Sequence, residues 1–295
     1  MLDPRWHTFL VLCETMNYTR AAERLCLTQP AVTHHIHYLE AHYGCRLFTY
    51  QGKTLRLTPA GARLREFTRS MAYNCQKAEA AMASPAPVCL RVGASKTIGE
   101  YVVAPHIERF LRAQPQATFS LTVDNTQGLL QALEEGRLDF ALVEGYFDRS
   151  RYSARLYRQE AFFGICAPGH RLAGRTVPLE ELERERLILR EPGSGTRAIL
   201  EEGLRRQNRA LGSFPGVVAI SDFTVIKTLV ARGLGVSFLY APVAESELAA
   251  GTLARFELAQ VPMSGAFYLV CLKDNLFAGD WLIKPTFSTK MGFLL

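Results

Sequence analysis

The sequence predicts an α/β protein in two parts, a small helical module that ends in a β-hairpin and a larger module of alternating strands and helices. Three observations predict this. Apolar residues recur at helical spacing up to about residue 83, and the prolines of Ser84-Pro85-Ala86-Pro87 then prevent helix continuation. Beyond them, short apolar runs alternate with amphipathic segments, as in α/β units with a mostly parallel sheet. A chain of 295 residues is long enough for both cores.

Three helices are predicted at the N-terminus. Apolar residues over 4–16 recur at helical spacing and form the first helix. Thr19 is the expected cap of a short second helix over 20–26, and Thr28 caps a third helix with Pro30 in its first turn. At 3.6 residues per turn one stripe of the third helix is apolar, which predicts its buried face: Val32, Ile36, Leu39 and Tyr43.

The opposite face of the third helix is polar. A short helix, a tight turn and a second helix form a helix-turn-helix, in which the N-terminal residues of the second helix meet base edges in the major groove. We therefore expect Gln29, Thr33 and His34 to contact bases in double-stranded DNA. The remaining candidates on this surface are Thr19, Arg20, Thr28, Pro30 and His37.

A β-hairpin and a long helix complete the first module. Segments 46–50 and 54–57 flank the turn Gln51-Gly52-Lys53, which predicts a wing whose Lys53 and Arg56 reach phosphates. Thr58-Pro59-Ala60-Gly61 then opens a helix toward residue 82. Its apolar positions at spacings of three and four predict a seam for a partner helix: Leu64, Phe67, Met71, Cys75, Ala78 and Met82.

Charge and composition restrict the class of partner. The chain has a net charge of +6, and residues 1–83 hold ten Lys/Arg against six Asp/Glu, a net +4. A basic first module suits a polyanion such as DNA. The seven cysteines are scattered without a C-x-x-C pair, which favours reduced thiols over disulfides or zinc. A metal site at His34, His35, His37 and His42 is disfavoured because one helix face supplies only two ligands, so we expect no cofactor or metal.

Polar residues mark four strand-to-helix junctions in the second module. Backbone N–H groups at a helix start favour an anion, and in an α/β sheet such ends converge on one crevice. Ordinary N-capping is the alternative at any single junction. Gly193 and Gly195 permit close backbone approach, but no nucleotide-binding fingerprint is complete. The junctions are Ser95-Lys96-Thr97, Asp124-Asn125-Thr126, Ser194-Gly195-Thr196 and Ser221-Asp222-Phe223-Thr224.

The first module closely resembles the LysR-type transcriptional regulators. The resemblance rests on Ala21-Ala22-Glu23-Arg24-Leu25, Thr28-Gln29-Pro30-Ala31-Val32-Thr33, Gly44-Cys45-Arg46-Leu47-Phe48 and Leu57-Thr58-Pro59-Ala60-Gly61. The sequence departs from the family at His34-His35, where the family usually has Arg, Lys or His followed by Gln. This departure favours neutral hydrogen bonds over charge in contacts with DNA.

The resemblance implies a domain order. It gives a winged helix-turn-helix over 1–58, a linker and dimerisation helix over 59–83, a hinge at 84–87 and an effector-binding domain over 88–295. That last domain is expected to resemble periplasmic solute-binding proteins, with lobe I over about 88–162 and 266–295 and lobe II over about 163–265. Family members commonly form homodimers and homotetramers on interrupted palindromes, and RNA polymerase is a candidate partner.

The second module also resembles a subgroup of this family that responds to small, often anionic, metabolites. Arg190-Glu191-Pro192-Gly193-Ser194-Gly195-Thr196-Arg197 carries that likeness, together with Thr97-Ile98-Gly99-Glu100-Tyr101 and Gly233-Leu234-Gly235-Val236. The residues expected around the effector are Ser95, Lys96, Thr97, Thr126, Ser194, Gly195, Thr196 and Thr224.

Two other classes of protein are disfavoured. An enzyme is disfavoured because H-E-x-x-H, G-x-S-x-G and P-loop motifs are missing, so no catalytic residue is assigned. A solute-binding protein is disfavoured by the first module and by an N-terminus unlike a signal peptide, which predicts a cytoplasmic protein with no membrane partner. The identity of the effector, the operator, the target genes and the choice between activation and repression stay open.

Overall fold

The computed structural model describes residues 3–83, 89–259 and 264–273, and the chain divides into two compact units. Of the described residues, unit 1 comprises 3–83 with Lys273, and unit 2 comprises 89–259 and 264–272. The predicted hinge at 84–87 lies outside the described residues.

Unit 1 contains the predicted helices and wing. Its elements are α1 (Pro4–Thr15), α2 (Tyr18–Leu25), α3 (Gln29–Tyr43), β1 (Phe48–Gln51), β2 (Thr54–Leu57) and α4 (Pro59–Ala83). Strands β1 and β2 pair antiparallel, which confirms the hairpin. Helix α4 follows β2 directly and continues to the edge of the described segment, as predicted.

Two details of the sequence prediction for unit 1 are wrong. Helix α2 starts before Thr19, because the Asn17 side chain accepts hydrogen bonds from the backbone N–H groups of Thr19 and Arg20 and caps the helix. Tyr43 was expected on the buried face of α3, yet it is 39% exposed. The helix extends beyond the core at this end, and the buried position one turn earlier belongs to Glu40.

The core of unit 1 forms where the three short helices meet the wing. Val32, Ile36 and Leu39 of α3 are buried, as the helical stripe predicts. They pack with Phe9 and Leu12 of α1, and small residues of α2 complete the same cluster. Because the apolar stripe of α3 faces this core, the N-terminal part of its polar face is turned toward solvent.

Glu40 connects α3 to the wing. Its buried carboxylate accepts hydrogen bonds from the backbone N–H of Leu47 at 2.8 Å and of Phe48 at 3.4 Å. The Arg46 guanidinium donates to the other carboxylate oxygen at 2.8 Å. The start of β1 is therefore fixed to α3 by one side chain whose negative charge is matched on both oxygens.

Unit 2 alternates strands and helices. It begins with β3 (Cys89–Ser95), α5 (Lys96–Tyr101), α6 (Ala104–Ala113), β4 (Thr118–Asp124), α7 (Thr126–Glu134), β5 (Phe140–Glu144) and β6 (Tyr152–Cys166). It continues with β7 (Thr176–Val177), α8 (Leu179–Leu182), β8 (Leu187–Leu189), α9 (Gly195–Arg206), a 3₁₀ turn (Leu211–Ser213) and β9 (Val217–Ala219). The last elements are α10 (Phe223–Ala231), β10 (Ser237–Tyr240), α11 (Ala241–Ala249), β11 (Ala254–Leu258) and β12 (Ser264–Leu272).

The sheet of unit 2 is mixed, so the expectation of a mostly parallel sheet is wrong. The strand order is β4-β3-β5-β12-β6-β11-β7, with β10 also paired to β6 and with β8-β9 as a separate pair. Strand β3 pairs parallel with β4 and β5, as in α/β units. However, β12 pairs antiparallel with β5 and β6, and β6 pairs antiparallel with β10 and β11. These two long return strands escaped the sequence pattern, which assigned only the alternating units.

Strand β6 joins two α/β halves of unit 2. Its first part pairs with β12, and its last part, Phe162 to Ile165, pairs with β10. We call the part built on β3, β4 and β5 the first half, and the part built on β8, β9 and β10 the second half. Because the carboxyl ends of the parallel strands lead into helices in each half, polar junctions from both halves are available for one cleft.

We predict that Glu40→Gln weakens unit 1. The amide has one acceptor oxygen, so it can keep the Leu47 N–H bond but places an NH2 group against the Arg46 guanidinium, and the loss of the charge-assisted hydrogen bonds costs about 1–3 kcal/mol. Urea unfolding followed by circular dichroism measures this as a lower transition midpoint. Glu23→Gln on the exposed face of α2 is the matched control. Equal midpoints for the two variants would contradict the role given to Glu40.

Candidate DNA-binding surface and ligand cleft

The predicted base-reading residues lie on the solvent-facing side of α3. Gln29, Pro30, His34 and His37 are exposed and Thr33 is half-buried. The Gln29 side-chain amide donates to Thr33 Oγ1 at 2.9 Å, and that hydroxyl donates to the Gln29 backbone carbonyl at 3.1 Å. Gln29 and Thr33 thus form one polar group about a helical turn long at the exposed N-terminal end of the helix.

The predicted phosphate-contacting residues are exposed side chains of unit 1. Arg20, Lys53 and Arg56 are all exposed, as is Thr19. Arg24 of the same helix as Arg20 is instead held in an ion pair with Glu14 at 2.7 Å. Exposed cations on a helix-turn-helix and its wing are suited to phosphate oxygens, which position a protein on the duplex.

Two polar residues of this region have structural partners. The Thr28 hydroxyl accepts a hydrogen bond from the backbone N–H of Ala31 at 3.3 Å and so caps α3. His35, at the position where the sequence departs from the family, lies 2.9 Å from Thr8 Oγ1 through Nδ1 and faces α1. The departure at His35 is therefore explained by packing between helices. In the part of the chain that the structure describes, no three His, Cys, Asp or Glu side chains are arranged for a metal ion.

In unit 2, three predicted threonines converge on Glu144, at the carboxyl end of β5. Thr97 Oγ1 from α5 donates to Glu144 Oε1 at 3.0 Å, and Thr196 Oγ1 from α9 donates to the same oxygen at 2.7 Å. The Thr126 hydroxyl donates to the Glu144 backbone carbonyl at 3.0 Å. Thr97 belongs to the first half and Thr196 to the second, so one carboxylate oxygen connects the two halves.

Burial dominates the electrostatics of Glu144. The side chain is 1% exposed, and burial raises the pKa of its carboxyl group from 4.5 to about 7. The hydroxyls of Thr196 and Thr97 and the charge of Arg190 act in the opposite direction. Ser95 also lies close enough to lower this pKa, although neither Ser95 Oγ nor Glu144 Oε2 completes a hydrogen bond of ordinary geometry with a described residue. The carboxyl group is thus poised between its two protonation states near neutral pH.

Arg190 provides a buried positive charge close enough to Glu144 to lower the pKa of its carboxyl group. It follows β8, is 2% exposed, and places its guanidinium carbon 4.5 Å from the centre of the Phe223 ring. Nε and Nη2 donate to the two carboxylate oxygens of Glu191 at 2.8 and 2.9 Å. Nη1 is buried and has no hydrogen-bond partner among the described residues. An unmatched guanidinium donor in a buried place is suited to an anion.

Two glycines allow the halves to approach. A Cβ atom on Gly195 would lie 2.2 Å from the Glu144 carbonyl oxygen, and one on Gly145 would lie 2.6 Å from the Gly195 Cα atom. Gly145 also has a φ of +83°, which side chains other than glycine rarely adopt. Backbone therefore meets backbone at this point, and the predicted role of Gly195 in close approach agrees with the geometry.

The other predicted cleft residues have different surroundings. Lys96 Nζ donates to the Ser221 carbonyl at 2.6 Å, which places its charge at the second half. Ser194 is buried, whereas Thr224 is exposed. Ordinary capping applies at two of the four junctions, where Asn125 and Asp222 accept from backbone N–H groups. The structure records no such cap by Ser95 or Ser194.

Glu144 and Arg190 are the residues that sequence reasoning missed. Both follow short apolar runs, and every residue of Phe140–Glu144 is buried. A charged residue at the carboxyl end of a buried strand was an available signal, because such ends line the crevice of an α/β sheet. The polar residues at the helix starts predicted the hydroxyl groups of the site, but they did not predict the charged side chains that lie among them.

Comparison with known proteins gives the family. Residues 5–62 match the model of bacterial regulatory helix-turn-helix proteins of the lysR family, and residues 89–278 match the LysR substrate binding domain. The HTH-type transcriptional regulator YeiE of Escherichia coli K12 is 32% identical over 247 residues, which cover 83% of each chain. CysL of Bacillus subtilis is 29% identical over 246 residues, covering 82% of this chain and 81% of CysL.

Solved structures share the fold at lower identity. A full-length variant of OxyR from Pseudomonas aeruginosa aligns with a TM-score of 0.61 and 22% identity, over 100% of this chain and 94% of that one. The regulatory domain of CcmR from Synechocystis aligns with a TM-score of 0.60 and 22% identity, over 69% of this chain and 95% of that one.

Among the described residues, no helix is both long enough and apolar enough to cross a lipid bilayer. The relatives are named as transcriptional regulators, which supports the expectation that the chain is not an enzyme. With both of its units matched by models of one family, the chain belongs to the LysR-type transcriptional regulators and has a helix-turn-helix followed by an effector-binding domain.

Proposed function

We propose that a small anionic metabolite bound between the halves of unit 2 controls sequence-specific DNA binding by the winged helix-turn-helix of unit 1. One observation supports this most directly. Thr97 and Thr196, from opposite halves, donate to the same carboxylate oxygen of Glu144. A carboxyl group therefore already occupies the hydroxyl donors that a bound anion would use.

Control follows from differential affinity. A ligand held by donors from both halves binds best when the halves are close, so it increases the population of that arrangement. Glu144 competes with the ligand for the same hydroxyls, and its release or protonation accompanies binding. A ligand of equal affinity for all arrangements would have no effect on DNA binding.

A protein of the same fold has been determined with a small molecule bound. The CcmR regulatory domain, which shares this fold, was determined in complex with 2-PG. For the present chain we carry over only that the regulatory unit binds a small molecule. The residues proposed to bind the effector are those predicted from the sequence: Ser95, Lys96, Thr97, Thr126, Ser194, Gly195, Thr196 and Thr224.

Assembly is proposed through α4. Phe67 is 55% exposed and Met82 is 89% exposed, so part of the predicted seam is uncovered in the single chain. Burial of such a seam against a second copy would remove apolar surface from water. We propose a dimer through α4 and a tetramer on paired half-sites, acting in the cytoplasm, with RNA polymerase as a further partner.

For DNA binding, we expect Gln29→Ala with Thr33→Ala to lower the preference for the operator over random duplex by about 1–3 kcal/mol per lost base contact. The full-length chain and its own upstream DNA are the materials, and fluorescence anisotropy at several salt concentrations is the measurement. Unchanged preference would contradict base reading by α3.

Substitution of a residue that contacts phosphate is expected to affect DNA binding differently from substitution of a base-reading residue. Arg20→Ala is expected to weaken binding to all sequences alike and to reduce the slope of log affinity against log salt by about 1. Arg24→Ala is the matched control on the same helix, because Glu14 already neutralises this arginine. Equal salt slopes for the two variants would count against Arg20 as a phosphate contact.

For the effector, we expect a panel of small carboxylates and inorganic oxyanions to contain a compound that raises the thermal unfolding temperature of the full chain. Thr196→Val should abolish the shift, because it removes a donor without changing side-chain size. Thr252→Val, at an exposed turn, should leave the shift intact. The active compound should also change the footprint on DNA, and a thermal shift without a changed footprint would contradict control by this cleft.

Glu144 predicts a pH effect on stability. Its folded-state pKa is raised to about 7, so between pH 4.5 and 7 the folded chain keeps a proton that the unfolded chain has released. Stability from this group is therefore present at low pH and falls as pH rises to about 7, by on the order of 3 kcal/mol. Glu144→Gln should remove the fall. Urea unfolding of wild type and variant at pH 5 and pH 8 measures it, and a constant difference between the two proteins would contradict the shift.

A further inference from the structure

We infer that Glu144 and Arg190 together select the class of effector, a small oxyanion that still carries a proton on one oxygen. This inference rests on the proposed function, because it concerns the ligand of the same cleft. Neither residue was expected at the site from the sequence, and the two present opposite chemistry there, one buried acceptor and one buried donor.

Glu144 is the reason why the ligand is expected to carry a proton. A fully deprotonated anion placed beside the ionised carboxylate would meet like-charge repulsion at a site with little solvent screening. An oxyanion with a hydroxyl group can instead donate that hydrogen to the carboxylate. Glu144 Oε2 is buried with the Ser95 hydroxyl nearby, and because a carboxylate oxygen can accept two hydrogen bonds it can serve as the acceptor for the ligand. When Glu144 itself holds the proton, the same hydrogen bond forms in the opposite direction.

Arg190 is the reason why the ligand is expected to be negatively charged. Glu191 holds Nε and Nη2, and Phe223 lies against the guanidinium, so the orientation of Nη1 is fixed. Glu191 is in turn contacted by the Asn125 side-chain amide from the first half, at 3.4 Å. A buried guanidinium donor with a fixed direction favours an oxygen that bears charge over a neutral one. An ammonium ligand would face repulsion from Arg190 and Lys96.

The backbone approach restricts ligand size. Gly145 and Gly195 leave no space for a Cβ atom between the halves beside Glu144. Thr97 and Thr196 then meet at one oxygen atom. A ligand that replaces this contact while keeping the halves close is compact, with its oxygens near one central atom. These features together favour a protonated inorganic oxyanion or the equivalent end group of a small metabolite.

Inorganic phosphate and sulfate test the inference directly. They have the same tetrahedral shape, but phosphate retains a proton at mildly alkaline pH whereas sulfate does not. Isothermal titration of the full-length chain at pH 8, where the Glu144 carboxyl group is mostly ionised, should show phosphate binding at least about tenfold more tightly than sulfate, the difference expected for one like-charge contact. Glu144→Gln should bring the two affinities together, because the amide donates to sulfate as readily as to phosphate.

Arg190→Gln should weaken both anions and leave their ratio unchanged. Controls are Glu108→Gln and Arg112→Gln, which break an exposed ion pair on α6 and should change neither affinity. Circular dichroism and the unfolding temperature verify that each variant is folded, and the isosteric Glu144→Gln removes a buried charge without removing volume.

Three results would overturn the inference: equal affinity of wild type for phosphate and sulfate, an affinity ratio that Glu144→Gln leaves unchanged, or no binding of either anion. DNA binding separates this failure from failure of the proposed function. If the chain still prefers its operator and responds to another anion through Thr196, only the class of effector is wrong. If no ligand of the cleft changes DNA binding, the proposed function fails as well.

Discussion

The burial of one carboxylate between two α/β halves is the constraint on which the regulatory unit depends. Glu144 ends a strand of the first half, yet its Oε1 atom is bound by threonines of both halves. Removing a carboxylate from water is costly unless hydrogen bonds and opposite charge compensate. Here compensation is partial, since burial still raises the pKa of Glu144 to about 7. In the proposed function, this remaining cost makes the site responsive to a ligand.

Glu40 in unit 1 shows the contrasting use of a buried carboxylate. Its two oxygens receive the N–H groups of the wing and the Arg46 guanidinium, so its charge is fully matched within the fold. Such a group stabilises one structure. Glu144 has hydroxyl donors, which are weaker partners than charged ones, and the nearby Arg190 is hydrogen-bonded to Glu191 instead. The same residue type therefore supports rigidity in one unit and, in the proposed function, exchange of partners in the other.

The sequence predicted the elements better than the site. Helical periodicity located α1, α3 and α4, and the Gln51-Gly52-Lys53 turn located the wing, because these signals are local. The mixed sheet was missed since the partners of β6 and β12 lie far away in the chain. Capping residues revealed Thr97 and Thr196, but not that both would bind Glu144. Periodicity says which face is buried, and it cannot say which polar groups from distant segments meet there.

The energies of these contacts fit a sensor. A hydrogen bond from a hydroxyl contributes about 1 kcal/mol, so the bond from Thr196 that joins the second half to Glu144 of the first half holds this arrangement only weakly. A shift from a minor to a dominant population requires a difference of about 5 kcal/mol between the two states. An anion that accepts hydrogen bonds from Arg190, Thr97 and Thr196 in only one arrangement of the halves can supply that difference. Halves joined by fully matched ion pairs would resist any ligand, so hydroxyls and an arginine with an unmatched Nη1 atom agree better with the proposed sensor.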